Sequence, residues 1–202
     1  MRTTQRKSTP KVTDGRVQKK NNAATTPTYY DTPQPMPVID RQRPGAGYRH
    51  VLKQRDVETF IGLLPDWAEL SRGLNAIVLA PGDRQCFGYH TLGVVHVCAW
   101  DDDLWLRYRT DEAGLAKNLP IFRRFGVRCE LSEDGYTCCE FSESTARGFQ
   151  LLDVLLHELG HHHDRMTTKS QVRASRGEPY AEAYALQYEA QIWERYQDAF
   201  GL

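Results

Sequence analysis

Val154-Leu155-Leu156-His157-Glu158-Leu159-Gly160-His161 is the stretch on which the reading of the fold turns. It predicts a helix carrying two histidines four residues apart, with a glutamate beside the first. A helix advances about 100° per residue, so His157 and His161 share one face, a turn apart. Both imidazoles can then reach one tetrahedral divalent ion, and Zn²⁺ takes histidine nitrogens at about 2.0–2.1 Å. Glu158 is rotated off the pair, better placed to poise a water on the metal than to ligate it. With His157 as reference direction, Leu151, Leu152, Leu155 and Leu159 fall within about 80° of the opposite pole, the expected core face. Asp153, His161 and Asp164 fall within about 40° of His157, so the polar stripe reads as the wall of a site.

Gly160 costs a helix interior roughly 0.8–1 kcal/mol against alanine, which predicts close approach by another group. His162 points toward the leucines and His163 toward the flank. Both are expected off the metal, as partly exposed residues near the negative end of the helix dipole. Asp164, and after it Asp153, are the candidates to accept the outer N–H of a ligand imidazole.

A catalytic zinc site takes a third protein ligand and keeps a position open for water. Arg176-Gly177-Glu178-Pro179-Tyr180-Ala181-Glu182-Ala183-Tyr184-Ala185 opens a second helical pattern that runs to about Ala199. Pro179 suits the start of a helix and Gly177 the break before it. Ala181 and Ala185 share a stripe with Glu178 and Glu182, so the two backbones can approach closely enough for either carboxylate to reach the metal.

These residues resemble the gluzincin metallopeptidases, in which H-E-x-x-H is followed by a glutamate on a later helix. The motif arrangement is closest to the anthrax lethal factor-like catalytic domain. That group carries His-Glu-Phe-Gly-His…Asp and, later, Glu-Phe-Phe-Ala-Glu-Ala-Phe. The matching residues are His157-Glu158-Leu159-Gly160-His161, Asp164, and Glu178-Pro179-Tyr180-Ala181-Glu182-Ala183-Tyr184. The resemblance implies Glu178 as zinc ligand and Glu182 as its outer partner. The aminopeptidase branch, with Glu-x-Phe-Ala, fits either glutamate; helix placement favours Glu182, while the reading as a whole leans to Glu178. The resemblance covers the last third of the chain, and no tyrosine lies between Met166 and Gly177 to face an oxyanion. Tyr180 and Tyr184 are expected to pack. What it implies is an α+β, minimal zincin-like fold, with a small twisted sheet on the His157 helix and a C-terminal helix bearing the glutamate. It also implies a zinc-dependent peptidase acting on a peptide or protein, with Glu158 as general base. The alternative is a zincin-like domain that binds a partner without turnover.

The chain has 202 residues, room for one domain. Residues 1–47 are rich in Thr, Gln, Asn, Lys and Pro and are expected to form a disordered arm, with the domain at 48–202. The arm carries nine Lys/Arg against three Asp in a chain of formal net charge +0. That excess allows contact with an acidic or nucleic-acid partner, although a solubilising tail explains it as well. No apolar run suits a signal peptide or a membrane span. With five cysteines, this gives the expectation of a cytoplasmic protein with reduced thiols.

Val57, Phe60, Ile61 and Leu64 predict a helix that stops at Pro65. Strands are predicted at 75–80, 93–100 and 104–108, with a hairpin of 127–131 and 136–141 across Ser132-Glu133-Asp134-Gly135. An edge strand in this sheet could pair with an extended substrate. His90 and His96 are read as structural.

Overall fold

The computed structural model describes residues 28–84, 86–169 and 175–201, with the backbone of two short strands near the N-terminus. Most of residues 1–27 of the expected arm, and residues 170–174, lie outside the described residues. The protein is of mixed α and β type, with small sheets.

Val12–Thr13 (β1) pairs antiparallel with Arg16–Val17 (β2). Val38–Arg41 (β3) and Tyr48–Arg49 (β4) follow, then the helices Gln54–Leu63 (α1) and Trp67–Leu70 (α2). Val57 and Phe60 bury the inner face of α1, and the helix stops before Pro65 as its spacing predicts. Ala76–Ala80 (β5) is buried at every position and runs parallel to β3. Gly88–Thr91 (β6) and Val94–Cys98 (β7) form a hairpin in which Gly93 takes a φ of +75°. The sheet order is β3-β5-β7-β6, so β6 is an antiparallel edge on an otherwise parallel sheet. A parallel strand covered on both faces carries a continuous apolar run, which is why β5 and β7 were legible.

Trp100–Asp101 (β8) pairs with β4, and Trp105–Arg109 (β9) leads into Ala113–Arg124 (α3). Arg128–Leu131 (β10) and Tyr136–Glu140 (β11) complete a second sheet of order β10-β11-β9. Glu143–Gly148 (α4) is capped by Ser142, whose hydroxyl accepts the Thr145 N–H at 3.1 Å. The chain continues without a break through π-helical backbone at Phe149–Leu155 into Leu156–Met166 (α5). Glu178–Phe200 (α6) then packs along α5. Phe87, Trp100, Phe122, Phe141 and Phe149 stack between the first sheet, α3 and the π-helical segment. None of the described helices is long and apolar enough to cross a membrane.

Three expectations need correcting. The arm does not extend to Gly47. β3 adds to the sheet, Tyr29 hydrogen-bonds Asp40 at 2.7 Å, and Tyr30 meets His96 Nε2 at 2.9 Å. An edge strand needs only backbone partners and one apolar residue such as Ile39, and composition averaged over 47 residues hid it. The thiols are not all reduced. Cys129 and Cys139 stand opposite one another in the β10–β11 register and are joined by a disulfide. Counting cysteines carries no information about cross-strand register. Finally, His162 is not at a partly exposed helix end. It is fully buried, with Nε2 3.0 Å from the Arg72 carbonyl oxygen, because the turn after α2 covers that side of α5. Burial lowers its pKa to about 4, so it is neutral at pH 7.

Candidate metal centre

Two helices build the centre, and a missing side chain lets them meet. A Cβ on Gly160 would stand 2.9 Å from Ala181 Cα and 3.1 Å from its carbonyl oxygen. The close approach predicted from Gly160 is therefore made by α6, at the alanine one turn past its start. Along the π-helical segment and α5 the leucine face is buried, with Leu151, Leu152, Leu155 and Leu156 fully so, and this fixes the rotation of the polar stripe.

That rotation turns His157 and His161 toward the first residue of α6. Their Nε2 atoms lie 3.1 Å apart. Glu178 closes the triangle, with one carboxylate oxygen 3.2 Å from His157 Nε2 and the other 3.1 Å from His161 Nε2. Donors about 2.0–2.1 Å from a shared centre at tetrahedral angles stand about 3.3 Å from one another. The three side chains thus fit a small divalent cation, and they form the metal-capable His/Cys/Asp/Glu cluster among the described residues. Burial, and then the neighbouring His161 charge, lower the pKa of His157 and favour the neutral, ligating imidazole. Glu178 is 62 % exposed whereas the imidazoles are 18 % and 16 % exposed, so the cluster opens to solvent on one side. Structural zinc sites are closed by four protein ligands; an open three-ligand set is the catalytic form.

Glu182 does not join the cluster. One turn deeper along α6, it reaches Lys117 of α3, with Nζ and Oε1 3.0 Å apart. Lys117 also stands 4.0 Å from the exposed Glu178 carboxylate. Asp164 departs from expectation as well. Instead of an imidazole it takes the start of α6, accepting the N–H groups of Arg176 at 2.8 Å and Gly177 at 3.1 Å, and Arg176 Nε at 2.8 Å. Burial would raise its pKa, but the Arg176 side chain and these backbone donors outweigh burial and hold it below the ordinary carboxylate range. Its role in the site is to fix the residues just before Glu178.

Glu158 is buried, lies outside the His157, His161 and Glu178 group, and presses against the edge strand. A Cβ on Gly88 would fall 3.3 Å from Glu158 Cγ and 2.6 Å from Val154 Cγ1. Desolvation, and then the charge of Glu178, raise the Glu158 pKa to about 8. Tyr180 does not face the cluster; its hydroxyl is 2.6 Å from His163 Nδ1 and Arg176 lies over its ring, so it packs as expected. Lys117, Gly88 and the β6 edge are the site features that sequence reasoning missed. Nothing in the sequence marks them, because each comes from an element far away in the chain.

The chain matches no protein-family model, no curated protein and no solved structure.

Proposed function

We propose that this chain is a zinc-dependent metallopeptidase with a minimal zincin-like arrangement. The observation that carries the reading is the convergence of His157 Nε2, His161 Nε2 and Glu178 within 3.1–3.2 Å, open on one side and flanked by a buried Glu158. Zn²⁺ held there would supply Lewis acidity, polarising an amide carbonyl and making water acidic enough to attack near neutral pH. Glu158 accepts the water proton and returns it to the departing amine. Its raised pKa suits this work, since an opposite charge at the cluster would bring it down toward neutrality. The outer edge of β6 has no strand partner among the described residues, and an extended peptide paired there would run past Glu158.

A second reading is a zincin-like domain that binds metal and a partner without turnover. It is favoured by the engagement of the Tyr180 hydroxyl with His163, which leaves it unavailable to face an oxyanion. One experiment separates the two. Metal analysis of purified protein should find one zinc per chain, lost in His157→Ala. Cleavage of a broad peptide library should vanish with chelator and fall at least about a thousandfold in Glu158→Gln, with zinc retained. Zinc retained without cleavage of any peptide would favour the binding domain, and a folded wild type without zinc would end both readings.

A further inference from the structure

Beside His157 and Glu158 lies a half-open cavity of about 380 Å³ between α3, the π-helical segment and α6. Phe87, Ile121, Phe149, Val154 and Leu186 give it apolar walls. Its polar lining is unbalanced, with Lys117 and Arg124 against Asp153, Glu158, Glu182 and Glu189. Both cations already have partners. Lys117 holds Glu182 at 3.0 Å, and Arg124 holds Glu189 at 2.7 Å. Glu158 belongs to the centre described above. That leaves Asp153, partly buried in the π-helical turn and forming no hydrogen bond or ion pair with the described residues. A partly buried carboxylate with no bonded partner is costly. Arg124 and Lys117 offset its charge only at a distance, since each is bonded to another carboxylate, so a cation entering the recess would find Asp153 available.

We propose that this cavity is the specificity pocket of the peptidase and takes a cationic substrate side chain, lysine or arginine, with Asp153 as the anchor for its charge. The inference rests on the hydrolase reading and names its substrate class. Apolar walls suit the methylene stem of such a side chain while its head pairs with the carboxylate. A neutral apolar side chain would bury Asp153 still unpaired, and an acidic one would face a net negative lining. The π-helical winding carries the anchor: it sets Asp153 on the cavity wall, one turn before His157, in a segment whose other side chains are almost all core.

The test uses the full zinc-loaded chain in two arms. In the first, peptides from a randomised library are cleaved and the products sequenced. Lysine or arginine should dominate one position beside the scissile bond. The ratio of kcat/KM for lysine over norleucine at that position should drop about ten- to a hundredfold in Asp153→Asn. In the second arm, n-butylguanidine binding is followed by calorimetry, with binding to wild type and its loss in Asp153→Asn. Asp153→Ser replaces that variant should its thermal melt show unfolding. Cleavage without a basic preference, or a preference that survives Asp153→Asn, overturns the pocket and leaves the hydrolase standing. Absence of all cleavage with butylguanidine binding lost in Asp153→Asn overturns the hydrolase and keeps the cation pocket. No cleavage and no Asp153-dependent binding overturns both.

Discussion

The two ends of the polar stripe that leads into and along α5 have opposite fates. Asp164, at the C-terminal end, is wrapped by Arg176 and the backbone before α6, and its carboxyl is held below the usual range. Asp153, at the N-terminal end, faces a cavity with no bonded partner; burial pushes it up to about 6, against the opposing charges of Arg124 and Lys117. The same residue type on the same stripe is structural where donors surround it and available where they do not. Between these ends lie the histidines, with one side locked to α6 and the other facing open space. Such a division of a helix into a closed end and an open end is the arrangement that a preorganised binding site needs.

The contrast can be broken most severely at the closed end. Asp164→Ala should destabilise the fold by about 3 kcal/mol, read from the denaturant midpoint, since three charge-assisted bonds vanish and their donors stay partly buried. Zinc affinity should fall with it, because the residues positioning Glu178 lose their anchor. Unchanged zinc affinity in a folded Asp164→Ala protein would show that Glu178 is held by α6 alone.

At the open end the sign reverses. The folded chain binds the Asp153 proton more tightly than the unfolded chain, whose carboxyl titrates near about 3.9. Ionisation is therefore penalised in the native state, and stability is lost as pH rises from about 4 through 6. Asp153→Asn should match wild type near pH 4 and exceed it by about 2–3 kcal/mol at pH 7.5. A pH-independent difference between the two proteins would mean that Asp153 is neutralised within the fold.

The smallest of these effects probes the contact between the helices. Gly160→Ala gains helix propensity but drives a methyl into the Ala181 backbone, for a net loss of about 1–2 kcal/mol. Weaker zinc binding should accompany it, measured by competition with a chromophoric chelator. Full affinity would show that α6 can shift without moving Glu178 off the imidazoles.

Much of the centre was legible because its elements are local. The four-residue spacing of His157 and His161, the glutamate between them and the glycine that admits a neighbour all follow from the helical period. The choice between Glu178 and Glu182 was not legible. Both fit the stripe, and the difference between them is Lys117, contributed by a helix that the sequence reading did not predict. The β6 edge was missed for a related reason: Gly88-Tyr89-His90-Thr91 has no apolar alternation, and it is a strand because β7 pairs with it. Pro120 within α3 also obscured that helix, as proline ordinarily signals a break.

What the sequence determined by itself is the chemistry on offer: two imidazoles and a carboxylate on one helix, with two further carboxylates on the next. Those relations depend on periods of a few residues and survive any rearrangement of the rest. Which carboxylate meets the imidazoles, which aspartate is left without a bonded partner, and that a cavity opens beside Glu158 were decided only by tertiary packing. Each depends on side chains from α3, β6 and α6 arriving at one place, and distance along the chain carries no record of that meeting.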